Sequence, residues 1–62
     1  MTQEQISNAI QVTMVEVDQR KLVEVLYGFV EGAGCRYLFE RFRIKKDLEW
    51  SNWLHISTMM ID

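Results

Sequence analysis

The chain has 62 residues, with seven Lys and Arg against nine Asp and Glu and a net charge of −2 at neutral pH. Apolar residues make up 48% and charged residues 26%, with three glycines and no proline, which excludes disordered, linker-like and collagen-like chains. The expectation is one small domain, 1–62, near the lower size limit for independent folding.

A domain of this size buries only about 60% of the surface its unfolded chain exposes, and it usually needs a staple. Cys35 is the only cysteine, so no internal disulfide can form. Cys35 and His55 are the only thiol and imidazole, so no zinc set is available and no metal or cofactor is expected. Self-association as a homodimer is the natural way to bury more area. The polar start, Met1–Gln5, carries no Lys or Arg and does not resemble a secretory signal. The longest apolar stretch, Val25–Val30, is far short of the roughly 20 residues that cross a bilayer. A cytoplasmic location without a membrane is expected, and a single free thiol fits it.

In chain order, Thr2 followed by Gln5 matches a capping box, and Ile6, Ala9, Ile10, Thr13, Met14 and Val17 share one helical face. Val12 and Val15 break that stripe, and Gln11–Val17 reads at least as well as a strand. A helix from about Gln3 to Ile10 is therefore expected. Beyond the polar break at 18–21, Leu22, Val25, Leu26, Phe29 and Ala33 fit a second helical face, with Asp18 as N-cap and Gly32 as stop. Read with period two, the same stretch puts Val23, Val25, Tyr27 and Phe29 on one face of a strand. Two alanines against six valines and seven aromatics lean toward β, whereas the cap and stop signals favour the helix. Cys35–Ile44 is the best strand candidate, and Trp53–Ile61 is a second, joined to it by 47–52. Gly32–Gly34 lacks the Lys and Ser/Thr of a phosphate-binding loop and is a turn.

The expected fold is α+β: an N-terminal helix and a second helix packed on a short antiparallel sheet. Its competitor is an N-terminal helix followed by a four-strand antiparallel meander, with 22–30 and 35–44 forming a hairpin about Glu31–Gly34.

Charge is segregated along the chain. Residues 1–31 carry a net −3, 32–46 a net +4 and 47–62 a net −3, with five of the seven cations between Arg36 and Lys46. Alternation places Tyr37, Phe39, Arg41, Arg43 and Lys45 on one strand face, and Leu38, Phe42 and Ile44 on the other with Arg36 and Glu40. Two aromatics beside three cations could stack bases and neutralise phosphates, as single-strand binders do. The blander role is packing by the rings and edge protection by the cations. Trp50 and Trp53 lie three apart, and one of them is a candidate partner anchor if 47–52 is a loop. Met59 and Met60 suit a dimer seam in which each last strand extends the other's sheet. Cys35, His55 and an acid such as Asp47 or Glu49 form the only conceivable catalytic set, at a spacing that suggests nothing, so no enzyme is expected. The function expected is a non-enzymatic protein-binding regulator or adaptor, acting by surface occlusion in the manner of phage or mobile-element inhibitors. Its binding residues would come from Trp50, Trp53, Tyr37, Phe39, Arg41, Arg43 and Lys45. Single-stranded nucleic-acid binding through 36–46 is the alternative.

Overall fold

The computed structural model describes residues 1–18, 20, 22–44 and 49–61. A short helix, α1 (Gln3–Ala9), precedes four strands, β1 (Gln11–Asp18), β2 (Val23–Gly32), β3 (Cys35–Ile44) and β4 (Leu54–Met60). They form one antiparallel sheet in the order β1-β2-β3-β4, the meander arrangement. The capping box forms as expected: the Thr2 hydroxyl accepts the Gln5 N–H at 3.1 Å, and the Gln5 side chain accepts the Thr2 N–H at 2.9 Å.

The expected second helix is corrected. Residues 23–32 are strand β2, at the centre of the sheet, and both of its faces carry apolar side chains. The helical stripe and the strand alternation coexist there because valine and aromatics are dense, and packing decides between them. Cross-strand charge also favours the strand. Glu24 lies opposite Arg43 and Glu31 opposite Arg36, with N···O distances of 2.9 and 2.7 Å. The segregation of charge along the chain thus becomes complementarity between adjacent strands.

The β2–β3 hairpin closes at Gly32 and Cys35 around Ala33-Gly34, both with positive φ (50° and 74°), as a type I′ turn requires. Gly28 meets a different constraint. The chain leaves α1 at Ile10 and runs straight into β1, passing over β2 so closely that a Cβ on Gly28 would lie 2.8 Å from the Gln11 carbonyl oxygen and from Ile10 Cγ1. Gly28→Ala is therefore expected to destabilise the fold by about 1–3 kcal/mol through overpacking against backbone, read as a lower urea midpoint at unchanged slope.

α1 packs through Ile6 on one face of the sheet, and the core there consists of Ile6, Val30, Phe39 and Trp53, with Ile10, Leu26 and Tyr37 packed around it. Register places Glu24, Leu26, Gly28 and Val30 of β2 on this helix face, beside Tyr37, Phe39, Arg41 and Arg43 of β3. Val23, Val25, Tyr27 and Phe29 turn to the opposite face with Leu38, Glu40, Phe42 and Ile44.

Candidate functional site

The sheet brings Tyr37, Phe39, Arg41 and Arg43 onto one face, as alternation requires, but gives them different surroundings. Phe39 is buried, and Tyr37 packs against the core. Arg41 donates from Nε and Nη2 to the Ser51 carbonyl at 3.0 and 2.9 Å, and its guanidinium lies over the Trp53 ring at 4.7 Å. Arg43 donates to Glu24 at 2.9 Å and lies over the Trp50 ring at 4.6 Å. Both guanidinium groups thus hold the 49–53 segment and neighbouring side chains against the sheet. Lys45 lies outside the described residues.

The two tryptophans separate in role. Trp53 is only 4% exposed. The Gln3 side chain pins its backbone, accepting the Trp53 N–H at 2.7 Å and donating to the Trp53 carbonyl at 2.9 Å. Trp50 is half-buried, stacked on Arg43 and 6.0 Å from Arg41. Ser51 continues the β3 pairing: its N–H donates to the Phe42 carbonyl and its hydroxyl accepts the Phe42 N–H. The segment is consequently a tethered strap that leaves Trp50 at the surface.

Sequence reasoning missed two exposed valines on the same face of the sheet, on β1. Val17 shares a register row with Glu24 and Arg43, and Val15 shares one with Leu26 and Arg41. Val15 and Val17 are 58% and 50% exposed, because the cover supplied by α1 and the strap does not extend to β1. The broken helical stripe at Val12 and Val15 was the available signal, since it marks β1 as a strand whose register then decides which valines are outside.

His55 and Thr58 should point to opposite faces of a regular strand. An irregularity in β4 opposite Leu38 and Phe39 brings both to the helix face, where His55 Nε2 and Thr58 Oγ1 are 2.7 Å apart. The imidazole packs 5.5 Å from the Phe39 ring and 6.2 Å from Tyr37. An open cleft of about 500 Å³ lies here, lined by Met1, Gln3, Ile6, Tyr37, Phe39, Trp53 and His55. Cys35 sits four β3 residues from Phe39, the partner of His55, or about 13 Å along the strand, so thiol and imidazole are apart. No cluster of three His, Cys, Asp or Glu suited to a metal occurs among the described residues.

On the opposite face the Tyr27 hydroxyl donates to Glu16 Oε2 at 3.3 Å. Partial desolvation, then the charge of Glu16 and its hydrogen bond, then Glu40, raise the Tyr27 pKa above its usual 10.0. The folded state therefore binds this proton more tightly than the unfolded chain. The associated stability is present below about pH 10 and is lost as pH rises through the elevated value. Tyr27→Phe is expected to flatten that alkaline decline in a series of urea midpoints.

Comparison with protein families, curated proteins and solved structures finds no match to this chain. Among the described residues, no helix is long and apolar enough to cross a membrane.

Proposed function

We propose that this chain is a non-enzymatic, cytoplasmic protein-binding regulator or adaptor that acts by covering a surface of a larger protein. The observation that supports this is the patch made by Trp50, Arg43, Val15 and Val17. It sets a stacked tryptophan and arginine on the same face as two exposed aliphatic side chains, in two adjacent rows of the sheet with Glu24 and Leu26 between. Tryptophan and arginine held in place beside apolar surface are the composition of binding hot spots, because they bury large area with little loss of rotamer freedom. An inhibitor of the phage or mobile-element kind would use the patch by occlusion.

The same geometry weighs against the single-strand nucleic-acid alternative. Arg41 and Arg43 direct donors to Ser51 and Glu24, and Phe39 is in the core, which leaves little of the basic-aromatic face free to stack bases. The test pairs two experiments. Affinity capture by the full chain should retain a stoichiometric partner that Trp50→Ala and Val15→Asp lose while their circular dichroism is unchanged. A partner held equally well by both variants would remove the patch from the interaction. Tryptophan fluorescence titrated with short single-stranded DNA and RNA at two salt concentrations should stay flat. A saturable, salt-weakened change would instead favour the nucleic-acid role.

A further inference from the structure

The face of the sheet opposite α1 carries a second feature, independent of the Trp50 patch. Val23, Val25, Tyr27 and Phe29 of β2 lie beside Leu38, Phe42 and Ile44 of β3, a largely apolar block that α1 does not cover, with the Arg36 guanidinium over the Phe29 ring at 4.5 Å at one end. Phe42 is 43% and Ile44 50% exposed toward the C-terminal end of β3. We propose that a second copy of this chain docks on this face, forming a two-sheet sandwich with the two α1 helices outside.

Size carries the argument for that occupant. The chain exposes 4832 Å², whereas a compact monomer of 7.4 kDa exposes about 4,200 Å². Its radius of gyration is 12.6 Å, against about 10.6 Å for a compact chain of this length. The molecule is a slab, 39 × 21 × 14 Å, that lacks a layer on one side. Four strands about 4.8 Å apart and up to ten residues long present about 600 Å² on that side. Covered on both copies, this amounts to about 1,200 Å², the lower bound of stable protein interfaces. The area also matches the roughly 600 Å² by which each chain exceeds a compact monomer.

The face is also compatible with itself. Arg36 and Glu31 at one end neutralise each other, and Glu16 toward the other is hydrogen-bonded to Tyr27. A twofold axis lying across the strands sets the Phe29–Leu38 end of one copy on the Val25–Phe42 end of the other, apolar against apolar. Two twisted sheets stacked in this way pack about 10 Å apart with interleaved side chains. Glu40, opposite Tyr27 in the middle of the block, lies at the twofold axis, so such a contact desolvates the Glu40 carboxylates of both copies near one another, and this limits the affinity. Joining β4 edge to edge, the arrangement suggested by Met59 and Met60, leaves this face wet.

Sedimentation equilibrium of the full chain from about 1 to 500 µM tests the inference. The chain should sediment at twice 7.4 kDa in the upper part of that range. Phe42→Lys should raise the dimer Kd at least about 30-fold with unchanged circular dichroism, as for a central anchor. Glu40→Gln should lower it about tenfold by removing the buried charge. Met60→Lys, at the end of the edge strand opposite Cys35 and so on the helix face, should leave it unchanged. Monomer at every concentration overturns the inference, and so does a dimer that Met60→Lys dissolves while Phe42→Lys leaves it intact. Should Phe42→Lys unfold, Glu40→Gln decides: no tightening overturns the face-to-face contact.

Discussion

Trp53→Ala is expected to unfold the chain at room temperature. Removing a buried tryptophan from a packed core costs about 3–5 kcal/mol. A single core in a domain of this size supplies no more than about 3–5 kcal/mol of net stability, so the loss is comparable to the whole. Trp53 is one of only four buried hydrophobic residues among those described, and the others, Ile6, Val30 and Phe39, come from α1, β2 and β3. Its ring therefore shares the contact by which helix and sheet hold together. Circular dichroism of Trp53→Ala should show loss of the sheet signal at about 25 °C, where the parent is folded. Trp53→Phe is the informative companion. It keeps an aromatic ring in the core and deletes the indole N–H, which is buried without a partner. Since an unpaired buried donor costs about 1–3 kcal/mol, that deletion offsets part of the lost area, and Trp53→Phe should remain folded.

The second large effect is at Arg41. Its guanidinium joins β3 to the strap twice over, through the paired donors to Ser51 and through its stack on Trp53. Arg41→Ala should lower stability by about 2–3 kcal/mol, since hydrogen bonds from charged donors contribute more than neutral ones and cation–π contacts add to them. Release of the strap exposes Trp50, so native-state fluorescence should shift to the red in the same variant. Arg41→Lys should recover less than half of the loss, because a compact ammonium has neither the fork that meets one carbonyl with two N–H groups nor the plane that stacks on indole. Full rescue by lysine would reduce Arg41 to a point charge.

Local structure was legible wherever local chemistry decides it. The capping box at Thr2 and Gln5, the β3 span Cys35–Ile44 and the turn at Gly32–Gly34 follow from residue type and spacing, and the structure has them at those positions. The second helix failed for an identifiable reason. An Asp18 N-cap and a Gly32 stop are weak local signals, worth about 1 kcal/mol each. A central strand at 23–32 instead forms two cross-strand ion pairs and packs on both neighbours, and most of those partners, Arg43 and β1 among them, lie outside the window that sets the helical pattern.

The candidate residues divide along the same line. Alternation alone sets Tyr37, Phe39, Arg41 and Arg43 on one face, since side chains of any strand alternate. Which of them reach solvent depends on the strap. Its return over β3 buries Trp53, leaves Trp50 at the surface and takes up the donors of Arg41. Alternation likewise marks Val23, Val25, Tyr27 and Phe29 as one apolar row, but only the position of α1 makes that row the uncovered side. By itself, then, the sequence determined where the elements start and stop and which side chains share a face, because those properties depend on neighbours within a few residues. The tertiary structure decided which face is core, which cations are paired and which apolar row stays open, because these depend on contacts such as Gln3 with Trp53, fifty residues apart.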